Sequence, residues 1–189
     1  MAAAQKKHSN PEDTENYIEN YNAVLGINAD FYNMSTGAPM GVLVMNGKVY
    51  HGMGGENFFA ILKDGTPLIG GTAEWEANKD NIQEAVGGRF YLVKDGKSAV
   101  NSDANYYKNR VTRTAVGITK EGKVVFVVVD GRQEPFSAGG SAQEVAQIML
   151  EAGCVTAINL DGGGSSTFAA RQEGSDQVTV VNRPSDGYE

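Results

Sequence analysis

Cysteine and histidine are almost missing from this chain, and their scarcity closes several routes to function. The 189 residues hold one cysteine, Cys154, and two histidines, His8 and His51. A single cysteine closes no internal disulfide. Cys154 sits between Gly153 and Val155 at the edge of an apolar run, where a thiol acts as a small core residue. A catalytic thiol needs an imidazole partner, and neither histidine has a supporting context. The His/Cys sets that bind zinc are excluded too, so no transition-metal cofactor is expected. Structural calcium or magnesium held by Asp and Asn side chains stays open, without EF-hand spacing. No apolar run approaches the ~20 residues needed to span a bilayer as a helix. Residues 1–10 lack the apolar segment of a signal peptide. Basic clusters are absent as well. With 16 Lys plus Arg against 23 Asp plus Glu, the net charge is −7. Nucleic acid and anionic membranes are therefore poor partners.

What is present is enough apolar residue, 41%, to build a core, and 24 glycines, which favour turns over long helices. One domain is expected over residues 11–189, after a flexible tail at 1–10. Asn10-Pro11-Glu12-Asp13 reads as a helix start, and the spacing of Tyr17, Ile18, Tyr21, Val24 and Leu25 predicts a helix over 11–23. Four hairpins follow, with turns at Asn46-Gly47, Asp64-Gly65, Asp95-Gly96 and Glu121-Gly122. Val124 to Val129 is continuously apolar and predicts a central strand covered on both faces. Ser141-Ala142-Gln143-Glu144 is a capping box, and Val145, Ile148, Met149 and Ala152 continue a helix that Gly153 closes. Strands are expected at 155–160 and 178–182. The fold class is α+β, a twisted, largely antiparallel mixed sheet with two principal covering helices.

Polar residues gather where these elements end. Asn28, Asp30 and Asn33 follow the first helix, Arg113 and Thr114 open a strand, and Asp130-Gly131-Arg132 closes one. The densest cluster follows the strand that ends at Leu160: Asp161, then Gly162, Gly163 and Gly164, then Ser165, Ser166 and Thr167. Three glycines in a row suit backbone that turns tightly or approaches a ligand closely. Backbone N–H groups and hydroxyls beside a carboxylate can hold a polar, partly anionic ligand. A plain flexible turn is the bland alternative. The loop lacks the lysine of a P-loop, and no Gly-x-Ser-x-Gly nucleophile is present. Carboxylate and arginine chemistry remains, with glycoside cleavage the leading candidate.

Five blocks carry a family resemblance. They are Ile27-Asn28-Ala29-Asp30-Phe31-Tyr32, Arg113-Thr114-Ala115-Val116-Gly117, Val129-Asp130-Gly131-Arg132, residues 157–168, and Asn182-Arg183-Pro184-Ser185-Asp186. In order and spacing the chain resembles the phosphodiester glycosidases related to the lysosomal uncovering enzyme. The resemblance implies hydrolysis between a sugar anomeric carbon and a phosphate that carries a second group, in extracellular or cell-envelope glycans. A phosphate is a good leaving group, so general-acid help is a lesser need than charge stabilisation and a nucleophile or base. Arg113 and Arg132 suit the phosphate. Asp161 and Glu144, with Asp130 as a further candidate, suit the second role. Asn28, Asp30, Thr114, Gly162, Gly163, Gly164, Ser165, Ser166 and Arg183 are the substrate-binding candidates.

Structural alternatives stand beside these roles. Glu144 is fully explained as the capping-box acid. Asp130-Gly131 also reads as a turn, Arg132 as a solvated charge, Asn28 as a backbone cap and Arg113 as a structural ion-pair partner. The resemblance also implies extra strands before the first helix and a closing strand after Glu189. Their lack would leave strand edges open to association and the sequence inactive. A non-catalytic carbohydrate-binding or scaffold domain of the same fold is the competing function.

Overall fold

The structure, a computed structural model, describes residues 14–101 and 104–186. The expected tail at 1–10 and the helix start at Asn10-Pro11 lie outside those residues. The chain opens with α1 (Thr14–Asn20), β1 (Leu25–Ile27), β2 (Leu43–Met45), β3 (Lys48–His51), β4 (Asn57–Leu62) and β5 (Pro67–Gly70). It continues with α2 (Thr72–Asn78), β6 (Ile82–Gly88), β7 (Tyr91–Lys94), β8 (Lys97–Ser98) and α3 (Asn105–Lys108). The last part is β9 (Arg113–Thr119), β10 (Val124–Val129), α4 (Ala142–Glu151), β11 (Cys154–Asn159), β12 (Phe168–Arg171) and β13 (Val178–Val180). No helix among the described residues is long and apolar enough to cross a membrane.

The α+β class and the antiparallel pairing are as expected, but the strands divide into three sheets. Their orders are β3-β2-β6-β4-β5, β10-β9-β11-β7-β8 and β1-β12-β13. Local chemistry sets the hairpins. Asn46 and Gly47, and again Asp95 and Gly96, have φ between 51° and 74°, the left-handed pair that matches the twist of adjoining strands. The two five-stranded sheets pack face to face through Phe59, Ile69, Val116, Ile158 and Leu160. Alternation along β4 sends Phe58 and Ala60 to the opposite face, where Trp75 of α2 covers them. On the far side of β9–β11, α4 buries Val145, Ala146 and Met149 against Leu92, Ala115 and Ala157. The result is four layers, helix–sheet–sheet–helix, with α1 and the three-stranded sheet forming a smaller cluster around Ile18, Ala169 and Val178.

Three expectations need correction. Strand β10 lies at the edge of its sheet, not at its centre. Its apolar run reports two covered faces: Val125, Val127 and Val129 lie under α4, while Phe126 meets Phe59 at 6.3 Å on the other side. Covered faces make a strand apolar without giving it a second hydrogen-bonded neighbour. Helix α4 forms with the expected capping box: Glu144 N–H donates to Ser141 Oγ at 3.2 Å and Ser141 N–H to Glu144 Oε2 at 2.8 Å. Its buried face is Ala142, Val145, Ala146 and Met149, whereas Ile148 is turned outward. The first helix is Thr14–Asn20 in the described residues, so Val24 and Leu25 fall beyond it. Helix α2, with its buried Trp75, was not signalled by periodicity because it is only seven residues long.

Candidate active site

The backbone brings the Asn28–Asp30 segment and the end of β11 together at one end of the sheets. Asp161 N–H donates to Ala29 O at 2.8 Å, and Leu160 N–H donates to Thr114 O at 2.8 Å. Asn28 ties the same junction with its side chain. Its Nδ2 donates to Asp161 O at 3.0 Å, while its Oδ1 accepts from Thr114 Oγ1 at 2.7 Å and Thr167 N at 3.1 Å. Thr114 also reaches Ser166 Oγ at 3.3 Å, and both residues are fully buried. Asn28, Thr114 and Ser166 thus form an internal brace that holds Asp161 in place.

Two carboxylates converge there. Asp30 Oδ2 accepts from Gly41 N at 2.7 Å. A Cβ added at Gly41 or Gly87 would overlap this carboxylate, so glycine is required at both positions. Burial pushes the Asp30 carboxyl above its ordinary pKa, against N–H donors from Phe31 and Gly41 and the charge of Arg89. The charge of Asp161 adds to the rise. Burial likewise raises Asp161, opposed by the Gly162 N–H at 2.7 Å, the Ser165 hydroxyl and Arg89. The guanidinium of Arg89 stacks on the Phe31 ring, 4.1 Å from its centroid, and no hydrogen bond to it occurs among the described residues. Sequence reasoning missed Arg89. It follows β6 with no motif around it, and only the fold carries it to both acids.

Each glycine of the loop answers to a neighbour. A Cβ at Gly162 would stand 2.9 Å from Thr112 O, and one at Gly163 3.2 Å from Arg132 Nη1. One at Gly164 would overlap the Asp186 carboxylate. The loop is therefore lined by Arg132 and Asp186, and Thr112 Oγ1 pins it by donating to Gly163 O at 2.6 Å. Arg132 adopts a left-handed φ of 58°, a strained conformation for a long side chain that is typical of functional segments. Ser165 is exposed at the loop surface.

Three candidates stand apart from this cluster. Arg113 neighbours Thr114 in β9, but strand alternation sends it to the opposite, helix-side face. It is 3% exposed, and its guanidinium donates to Gly140 O at 3.3 Å, Tyr106 O at 2.8 Å and Asn109 O at 3.4 Å. It braces the α3 and pre-α4 loops instead of facing a ligand. Glu144 is occupied by the capping box and by Arg110 at 2.8 Å. The N–H of Ser141, with Arg110 adding to it, holds its carboxyl below the usual range. Asp130 accepts from Asn182 Nδ2 at 2.8 Å and from Arg183 N at 3.0–3.1 Å. Its carboxylate fastens the 182–186 segment, and Asn182 passes the connection on to Ser166 O at 2.8 Å. The Arg183 guanidinium lies over the Phe136 ring at 5.1 Å. Cys154 is buried, which pushes its thiol up and away from reactivity.

The sequence and the fold resemble those of known proteins. A family model described as phosphodiester glycosidase matches residues 21–189. N-acetylglucosamine-1-phosphodiester alpha-N-acetylglucosaminidase of Bos taurus is 32% identical over 177 residues, covering 84% of this chain and 32% of that protein. The SPbeta prophage-derived uncharacterized protein YomE of Bacillus subtilis is 30% identical over 191 residues, 96% of this chain and 28% of its own. Among solved structures, the catalytic domain of the zebrafish N-acetylglucosamine-1-phosphodiester alpha-N-acetylglucosaminidase, auto-inhibited by its pro-peptide, superposes with a TM-score of 0.79 at 26% identity. That match covers 94% of this chain and 61% of the zebrafish one. The chain spans about a third of the length of the curated relatives it matches. On the match across residues 21–189, this chain belongs to the phosphodiester glycosidase family.

Proposed function

We propose that this chain hydrolyses the bond between a sugar anomeric carbon and a phosphodiester, with Asp161 as the carboxylate that acts at that carbon. The observation that carries the reading is the convergence of Asp161, Asp30 and Arg89 beside the glycine loop. Burial raises both carboxyls, and the charge of Asp161 adds to the rise on Asp30. An ionised Asp161 either attacks the anomeric carbon, forming a glycosyl ester that water then hydrolyses, or takes a proton from a water whose oxygen attacks that carbon. The C–O bond breaks, and its electron pair leaves on the phosphate oxygen. Arg89 and Arg132 neutralise the departing phosphate, for which guanidinium geometry is suited. Asp30, beside Arg89, accepts from sugar hydroxyls. A phosphate leaves readily, so a strong proton donor is a lesser requirement.

Carboxylates and arginines supply every charge the reaction needs, so the proposed chemistry runs without a transition metal. Turnover that survives exhaustive chelation supports this, and turnover lost and restored only by zinc overturns it. The family resemblance favours extracellular or envelope glycans as the source of substrate. The decisive experiment is release of free sugar from a sugar 1-phosphodiester by the unaltered chain and by Asp161→Asn. Sugar release that Asp161→Asn abolishes supports the reading. Diester binding without release by the unaltered chain would instead favour a carbohydrate-binding domain.

A further inference from the structure

The connection between β3 and β4, residues 52–56, packs its backbone beside the acid–arginine cluster. A Cβ added at Gly55 would stand 3.5 Å from Gly41 Cα and 3.6 Å from Gly88 O. A side chain at each end of this connection reaches across. His51 Nδ1 lies 2.8 Å from Gly41 O, and since a carbonyl only accepts, Nδ1 carries the proton. Gly54 leaves room for the imidazole, for a Cβ there would stand 3.0 Å from His51 Cε1. At the other end Asn57, 7% exposed, donates from Nδ2 to Arg89 O at 2.6 Å. Both contacts end on the candidate site. Gly41 turns its N–H to Asp30 Oδ2 at 2.7 Å. A side chain at Gly41 would overlap Asp30, so its hold on the carboxylate depends on the bonds its backbone makes. Arg89 is tied on its second side too, with its N–H donating to Asn159 O at 2.8 Å. Its guanidinium stacks on Phe31, the residue after Asp30.

We infer that His51 and Asn57 are positioning residues: one connection holds Gly41 against Asp30 from its first end and Arg89 from its second, and so sets the acid and the cation relative to each other. The inference rests on the reading of Asp30 and Arg89 as substrate-binding groups and extends it to residues that touch no substrate. Neither residue lies in the five blocks that carry the family resemblance. Each acts on a backbone atom, a role that any side chain with a donor at the right reach can fill. A hydrogen bond that served folding alone would be lost without changing the charge state of an acid two contacts away. One that positions Gly41 or Arg89 changes it, because both act on the Asp30 carboxyl.

The test reads the carboxyl titrations of Asp30 and Asp161 by carbon NMR, which needs no turnover, beside kcat/KM for a sugar 1-phosphodiester. The Gly41 N–H lowers Asp30 alone, whereas Arg89 lowers both acids. His51→Leu and His51→Ala lack the donor, and whichever folds should raise the pKa of Asp30 and leave Asp161 in place. His51→Asn should restore Asp30, because its amide nitrogen stands as many bonds from Cα as Nδ1 does. Asn57→Ala leaves the Arg89 carbonyl without its donor and should raise both acids. In His51→Leu and in Asn57→Ala we expect kcat/KM to fall about fivefold, the scale of one hydrogen bond. A lower Tm with both titrations unmoved in the folded variants means a purely structural role and overturns the inference. If the unaltered chain releases no sugar, the diesterase reading fails by itself, and the two titrations still decide the positioning.

Discussion

Burial raises the pKa of Asp30, the charge of Asp161 adds to the rise, and the cation of Arg89 acts on both acids. These acids come from distant parts of the chain and meet because Asp161 N–H bonds to Ala29 O. Both half-buried carboxyls feel the cation of Arg89, and Asp30 also feels the charge of Asp161. Burial works against a charge on either acid, and the cation of Arg89 works in favour of one on both.

Replacing Asp161 by Asn keeps size and hydrogen-bonding capacity but removes the charge. Turnover of a sugar 1-phosphodiester is expected to fall by about a thousandfold or more, with binding largely kept. Steady-state rates beside calorimetric Kd values check this. Near-normal turnover by a folded Asp161→Asn chain would remove the residue from the mechanism.

Ser165→Ala gives a subtler effect. The Ser165 hydroxyl helps hold the Asp161 pKa down, so its loss raises that pKa further. The acid limb of the kcat/KM profile, where Asp161 loses its proton, should move to higher pH. A limb that stays in place would mean that Asp161 is not the group titrating there.

Arg89→Ala removes a cation that lowers both carboxyl pKa values and a partner for phosphate. A drop in kcat/KM of about 10²–10³ is expected, as for other pre-organised electrostatic groups. Arg89→Lys should recover only part of it, since an ammonium lacks the planar fork and the stacking on Phe31. Full recovery with Lys would reduce Arg89 to a point charge.

Asp30 is expected to lower stability at neutral pH. Its folded-state pKa is raised, so the folded chain binds the proton more tightly than the unfolded chain. Stability contributed by this group is present below the unfolded value near 3.9 and lost as pH rises through the folded one. Asp30→Asn, which still accepts from Gly41 N, should therefore raise Tm at pH 7 and lose that advantage under acid conditions. Thermal melts across pH measure it. A lower Tm at pH 7 would show that the Asp30 charge stabilises the fold.

Ser141→Ala and Glu144→Gln separate capping from catalysis. Ser141→Ala should lower stability by about 1 kcal/mol, as loss of a helix cap does. Glu144→Gln should lower it less and should leave sugar release within about twofold of the parent, because its amide oxygen still accepts from Ser141 N. Denaturant midpoints and initial rates read the two effects. A fall in rate comparable to that of Asp161→Asn would return Glu144 to the catalytic residues.

Local chemistry made much of this protein legible from its sequence. The Asn46-Gly47 and Asp95-Gly96 turns, the Ser141–Glu144 capping box and the Asp161–Ser166 loop depend on residues close in the chain, so spacing reveals them. The tertiary structure decided which strand lies at an edge, because coverage by α4 and Phe59 makes β10 as apolar as a central strand would be. It also separated Arg113 from Thr114, sending one to brace carbonyls and the other to hold Asn28. It found Arg89, which no motif marks. Adjacent residues in a strand face opposite sides, and a site assembled from strand ends depends on which sides meet. That choice is made by sheet packing, which acts between residues far apart in the chain and leaves no periodic trace in it.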